Sequence, residues 1–375
     1  MRSRGAQSGP LHSCSPPLHN SLRQKPPRNR TVDPWGRRSF DPIPEEVPMA
    51  SLSQDPATIE NVTFHAADGR RLEGDFVRPL GKVRAKLVIH GATAVPRGHY
   101  VPFAKAAAAR GFETLIYDYR GVGGSALADP REDPATMTDW LSLDAPAAVR
   151  TLHATKREVP FFAVGHSFGG QIAAALEGVP APVAIATAGA QRGYWATFPW
   201  NTRPKMFLNW FVLMPSLTGT LGYLPASAGL GVDMPKGVVS EWARWCKTPR
   251  YYLDDHPELG ERLARWEGRL LALSVTDDAF APLANVEWLI ERHRAARLEH
   301  VRFTPDDLGV DAFGHFGFFR SRHDTSVWSE ILGFFEESLG TGGRPRKLGR
   351  VVSSAPPPFR GLDDEELLVD LAYGR

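Results

Sequence analysis

Six short apolar runs, at residues 87–90, 112–117, 161–165, 183–188, 270–275 and 301–304, recur along the chain without polar alternation, each followed by loop or helix signals. A strand with one wet face alternates apolar and polar residues, whereas a strand covered on both faces does not. The runs therefore predict an α/β fold with a mostly parallel sheet and helices on both faces. Residues 100–110, alanine-rich and stopped by Gly111, read as a helix between the first two runs. Upstream, residues 59–65 and 72–78 show period-two spacing around Asp68-Gly69, so the sheet opens with an antiparallel hairpin and reaches eight strands. Pro146 interrupts the helical pattern at 139–152 and predicts a kink or break there.

The rhythm fails between Gln191 and Cys246. This stretch holds Trp195, Trp200, Trp210, Trp242 and Trp245, half of the ten tryptophans, and an aromatic insertion between two strands is expected to form a lid over a pocket. The expected organisation is a core at 51–190 and 247–340, a lid or cap insertion at 191–246, and two unstructured tails. The leader, residues 1–50, carries nine prolines and eight basic residues and cannot bury enough surface to offset the entropy of ordering. The tail, 341–375, is similar, with helical spacing confined to 363–372.

Charge and cysteine usage exclude several classes of function. Lys plus Arg number 44 against 42 acids, so no net field draws the chain to nucleic acid or anionic lipid. Cys14 and Cys246 are too few for a disulfide framework or a multi-cysteine zinc site and fit a reducing compartment. No apolar run reaches the ~18 residues that cross a bilayer, so no integral membrane segment is expected and the expected location is cytoplasmic. Oligomeric state is not legible.

Chemistry concentrates at three places. Gly165-His166-Ser167-Phe168-Gly169-Gly170 lies between an apolar run and the helix former 171–176, a strand, sharp turn and helix. Small residues at 165 and 169 permit a cramped turn that thrusts Ser167 out of the sheet. A serine hydroxyl needs a base, usually a histidine held by a carboxylate. Asp277 and Asp278 follow the run at 270–275, and His315 follows the run at 301–304 between Gly314 and Phe316. The order Ser, Asp, His is one known arrangement of a triad on an α/β sheet. His166 reads as a structural neighbour of the turn. The glycine-rich loop Asp118 to Ser125 lacks a phosphate-binding lysine and reads as a turn that shapes the pocket.

Taken together, these motifs resemble the α/β-hydrolase superfamily over residues 58–339. His90-Gly91-Ala92 resembles its oxyanion-hole motif, Asp118-Tyr119-Arg120-Gly121-Val122-Gly123-Gly124-Ser125 its D-x-R-G-x-G-x-S loop, and Gly165 to Gly169 its nucleophile elbow. The family's D-x-x-x-P spacing selects Asp278, four residues before Pro282, over Asp277. Residues 165–171, 241–246 and 314–320 are similar to those of an uncharacterised group of bacterial α/β-hydrolases near the serine aminopeptidase and monoacylglycerol-lipase-like branch. The His-Gly-Gly-Gly form of the oxyanion motif is missing.

The resemblance implies catalytic Ser167, Asp278 and His315, with the backbone N–H groups of Ala92 and Phe168 as the oxyanion hole and no metal or organic cofactor. The expected function is a serine hydrolase forming an acyl-enzyme on a small apolar carboxylic ester. Aminopeptidase or amidase, thioesterase and acyltransferase chemistry share the constellation, and a ligand-binding homologue is the competing class. An aminopeptidase would need an acid such as Glu241 or Asp233 for the substrate amine.

Overall fold

The computed structural model describes residues 57–155, 158–321, 324–340 and 351–353. The leader expected at 1–50 and the helical stretch at 363–372 lie outside the described residues. Strands β1 (Ala57–His65) and β2 (Arg71–Pro79) pair as the expected hairpin, and Gly69 supplies the positive φ (84°) of its turn. The series continues through β3 (Ala85–His90), β4 (Phe112–Tyr117), β5 (Phe161–His166) and β6 (Ala184–Ala188). A small pair, β7 (Tyr223–Leu224) and β8 (Met234–Pro235), stands apart, and β9 (Arg269–Val275), β10 (Arg297–Phe303) and β11 (Val351–Ser353) complete the main sheet.

The main sheet runs in the order β1-β2-β4-β3-β5-β6-β9-β10-β11. From β4 to β10 every neighbouring pair is parallel. The eight expected strands are present, and a ninth is added: β11 pairs antiparallel with β10, His300 opposite Ser353. Thus the segment 341–375, expected to be unstructured, contributes a short strand, because the exposed edge of β10 offers unpaired backbone groups to any chain that can reach it.

Period two explains why the core runs lack alternation. Leu87 and Ile89, Phe162 and Val164, and Leu271 and Leu273 point to one face, while Val88, Ala163, Leu270 and Ala272 point to the other. Helices α1 (Val101–Ala108) and α10 (Ser329–Ser338) cover the first face through Phe103, Ile331, Phe334 and Phe335. The second face is covered by the helical run of α2 (Met137–Asp139) and α3 (Ala145–His153), by α4 (Phe168–Ile172), and by further helices through Leu152, Ile172, Val238, Leu263 and Leu289. A π turn at Trp140–Asp144 joins α2 to α3, and Pro146 follows it as the second residue of α3. The break expected at the proline is taken up just before it, because proline lacks an N–H and its ring would strike the carbonyl four residues back.

The aromatic insertion folds as helices: α5 (Arg203–Leu208), a π turn at Asn209–Leu213, α6 (Met214–Leu221) and, after β7 and β8, α7 (Lys236–Trp245). The chain then returns to the core through α8 (Pro257–Arg265) and, after β9, α9 (Leu283–Ile290). Trp210 and Trp245 are buried in the larger apolar cluster, Trp195 and Trp242 pack against it, and Trp200 is 83% exposed. Most of these tryptophans extend the core, and Trp200 faces solvent.

Candidate active site

Ala92, Ser167 and Asp278 lie just beyond the C-terminal ends of the parallel strands β3, β5 and β9, and His315 lies in the longer loop that leaves the same end of β10, the edge where open α/β sheets place their ligands. Ser167 follows β5 with φ 52° and ψ −115°, a backbone region that side chains avoid and that costs roughly 1–3 kcal/mol to hold. The turn is pinned by Ser167 N–H donating to Ala188 O (2.9 Å) and Gly170 N–H donating to Ser167 O (3.0 Å). Its glycines answer to close approach: a Cβ at Gly165 would lie 2.3 Å from Gly170 Cα, and one at Gly169 would lie 2.0 Å from His90 O. The elbow motif is therefore a packing requirement as well as a turn signal.

The two neighbouring aspartates after β9 do different things. Asp278 Oδ2 accepts a hydrogen bond from His315 Nδ1 at 2.7 Å, while its Oδ1 accepts from the N–H groups of Phe280 (2.8 Å) and Ala281 (3.0 Å). The Asp277 carboxylate instead accepts from the N–H groups of Phe313 (2.8 Å) and Gly314 (3.1 Å), which shapes the loop carrying His315. With Nδ1–H given to Asp278, neutral His315 keeps its Nε2 lone pair for accepting a proton. Asp278 and His315 are both buried, and Phe280 and Phe316, 45% and 38% exposed, flank the imidazole with ring centroids 5.3 and 5.2 Å away. Among the described residues no hydrogen bond joins Ser167 Oγ to His315 Nε2. Such contacts are often loose in unliganded sites and tighten with substrate.

Of the two expected oxyanion donors, Phe168 is the first residue of α4, so its N–H has no intrahelical acceptor. The Ala92 N–H is engaged differently: it donates to Tyr100 Oη at 2.8 Å. Tyr100 Oη also bonds His166 Nδ1 (2.9 Å), and His166 Nε2 bonds His315 O (3.0 Å). Burial holds the His166 imidazole well below its ordinary pKa, with His315 adding to the effect, and it pushes the Tyr100 phenol upward. His90, bonded to Tyr117 Oη at 2.8 Å, is pushed down to about 3 by burial. The sequence marked His166 as a neighbour of the turn and Tyr100 as the start of a helix, and neither reading showed that the two side chains meet.

The glycine-rich loop acts as a brace. Asp118 accepts from the N–H groups of Arg97 (2.7 Å) and Gly124 (2.9 Å) and pairs with the Arg97 guanidinium. Arg120 joins Asp144 and Asp68, at 2.7 Å each, tying the loop to the π turn and to the first hairpin. Glu241 is likewise occupied, accepting from the Thr138 N–H (2.7 Å) and from Arg244 (3.1 Å), and Asp233 accepts from the Ala226 N–H (2.7 Å). A cavity of about 170 Å³ between this loop and β8 is lined by Gly121, Asp133, Asp233 and Pro235, among others, and none of Ser167, Asp278 and His315 borders it. Among the described residues no cluster of His, Cys, Asp and Glu is placed to hold a metal ion, and no helix is long and apolar enough to cross a membrane.

Comparison with known proteins agrees with this architecture. Residues 87–327 match the model of the family described as Alpha/beta hydrolase family. Among solved structures, a soluble variant of monoglyceride lipase from Saccharomyces cerevisiae is similar over 79% of this chain and 99% of its own, at 13% identity and a TM-score of 0.57. A lipase in an open form is similar over 75% of this chain and 99% of its own, at 18% identity and a TM-score of 0.52. The Pyrococcus furiosus esterase Pf2001 is similar over 80% of this chain and 97% of its own, at 16% identity and a TM-score of 0.51. At these identities the likeness is one of fold. No curated protein sequence matches the chain.

Proposed function

The chain belongs to the alpha/beta hydrolase family, and on that premise we propose that it is a serine hydrolase acting through an acyl-enzyme on small apolar carboxylic esters. Ser167 Oγ attacks the ester carbonyl while its proton passes to His315 Nε2. Asp278 holds the imidazole in that tautomer and stabilises the imidazolium that forms. The tetrahedral oxyanion is received by the Phe168 N–H, a kind of contact typically worth ~100–1,000-fold in rate, while the Ala92 N–H, the expected second donor, is already given to Tyr100 Oη. Collapse breaks the ester C–O bond, and the alcohol leaves with the proton from His315. Water then attacks the acyl-enzyme, again with His315 as base, and releases the acid and free Ser167.

The observation that carries this reading is the 2.7 Å bond from His315 Nδ1 to Asp278 Oδ2 beside a serine held at positive φ. Preference for an apolar ester is supported by the exposed rings of Phe280 and Phe316 beside His315. The carboxylates an aminopeptidase would use for a substrate amine, Glu241 and Asp233, already accept internal hydrogen bonds. The insertion at 191–246 would act as a cap over the acyl group, although most of its tryptophans pack inward.

Two measurements test the proposal. A fluorophosphonate should label Ser167 alone, and mass spectrometry finding no adduct in folded protein would remove the serine mechanism. A panel of p-nitrophenyl esters beside aminoacyl anilides should show esters cleaved far faster. Faster anilide cleavage would transfer the reading to an aminopeptidase.

A further inference from the structure

Three loops meet at the site, and their backbones are joined by two side chains that the mechanism above does not use. His315 O can accept but cannot donate, so His166 Nε2, 3.0 Å away, carries a proton. The imidazole is fully buried and burial disfavours its charged form, so it carries one proton and Nδ1 is an acceptor. Tyr100 Oη, 2.9 Å from that Nδ1, must therefore donate its single proton to it. The phenol oxygen is then left to accept the Ala92 N–H at 2.8 Å. The result is a chain of one polarity, Ala92 N–H to Tyr100 Oη–H to His166 Nδ1, with His166 Nε2–H to His315 O.

We propose that Tyr100 and His166 are positioning residues: together they form a strut that ties the peptide of Ala92, on the oxyanion loop, to the backbone of His315, on the base loop, across the nucleophile elbow. The inference rests on the serine-hydrolase reading. His315 is thereby held at two points, its ring by Asp278 and its carbonyl by His166. Removing the second leaves the imidazole bonded to its acid but free to shift relative to Ser167 Oγ. At the other end the strut sets the plane of the Ala92 peptide, which the elbow itself does not contact through any hydrogen bond among the described residues. Tyr100 and His166 need touch neither substrate nor reacting atoms, so their loss should slow the chemical step rather than weaken substrate binding.

The test is steady-state kinetics on the best p-nitrophenyl ester with Tyr100→Phe, His166→Ala, the double variant and His166→Gln, each shown folded by near-UV circular dichroism. Misplacement of catalytic groups by ~1 Å costs up to ~100-fold, so kcat should fall about 10- to 100-fold in Tyr100→Phe and in His166→Ala, with KM within about twofold. The double variant should be no slower than the slower single one, because both changes cut the same strut. His166→Gln, whose amide can still donate to His315 O, should recover much of the loss. Unchanged kcat in folded Tyr100→Phe and His166→Ala, a loss confined to KM, or multiplying losses in the double variant would each overturn the strut. Failure of the underlying reading looks different: Ser167→Ala would keep its turnover.

Discussion

Acid should unfold this protein through histidines, and the size of the effect follows from where they sit. His90, His293 and His300 are buried, and burial pushes their pKa values down from 6.5 to about 3, 4 and 4. In the native state they stay neutral at pH 5, whereas in the unfolded chain each binds a proton below its ordinary value. The unfolded state therefore gains protons as pH falls, and stability present above pH 6.5 is lost progressively towards pH 4. Between pH 7 and pH 5 the loss is about 2 kcal/mol per histidine, about 6 kcal/mol for the three together. Asp144 opposes this: burial raises its pKa to about 6 despite Arg120, so the native state takes up a proton there and regains about 1 kcal/mol. The loss from these four groups, about 5 kcal/mol, is comparable with the whole stability of many domains, and fully buried His166, also held well below its ordinary value, adds to it. Urea unfolding followed by tryptophan fluorescence at pH 7, 6 and 5 measures it directly. His293→Gln, which removes one titrating group, should flatten the pH dependence by about one proton's share even if it lowers stability at pH 7. A change below about 2 kcal/mol between pH 7 and pH 5 would mean that these imidazoles are charged or wet in the native protein, and the argument from burial would fail.

Two further outcomes separate catalytic from scaffolding roles. Asp278→Asn should lower kcat by several orders of magnitude, as loss of the orienting carboxylate does in comparable triads, with unchanged melting temperature. Asp277→Asn should act through the loop it caps at Phe313 and Gly314, with a smaller rate loss and a lower melting temperature, and reversal of the two effects in ester kinetics and calorimetry would exchange their roles. Gly169→Ala should abolish stable folding or lower the melting temperature by more than ~5 °C, since its methyl would sit 2.0 Å from His90 O; a well-folded, active variant would contradict the packing of the elbow.

How much of this was legible in the sequence depends on distance along the chain. The strand series and the elbow are local patterns: a run, a glycine-spaced turn and a helix former lie within the sixteen residues 161–176, and local sterics alone nearly dictate their conformation. The positions of Asp278 and His315 follow from strand order, because each parallel strand delivers its next loop to the same edge. What local pattern cannot show is a contact that depends on side-chain direction. Tyr100 and His166 are 66 residues apart, and the tyrosine's place at the start of an alanine-rich helix reads simply as apolar packing. The same limit applies to the insertion at 191–246. Its aromatic content marks an insertion, but that Trp245 turns inward is decided by which face of α7 meets the core, and that Trp200 is 83% exposed by its place in the turn before α5. A three-residue strand such as β11 carries no periodicity to detect.

That short strand bears on where the chain can be cut. An edge strand is a template: its free N–H and C=O groups will pair with any extended peptide that arrives, including one from another molecule. In β10 those groups face Val351–Ser353, so the protein's own C-terminal segment occupies the position that a foreign strand would otherwise take. Shortening the chain at residue 340, immediately after α10, would leave every proposed catalytic group in place and still uncover this edge. With Val351–Ser353 in place, that part of the β10 edge is already paired within the molecule and offers no template to a second one.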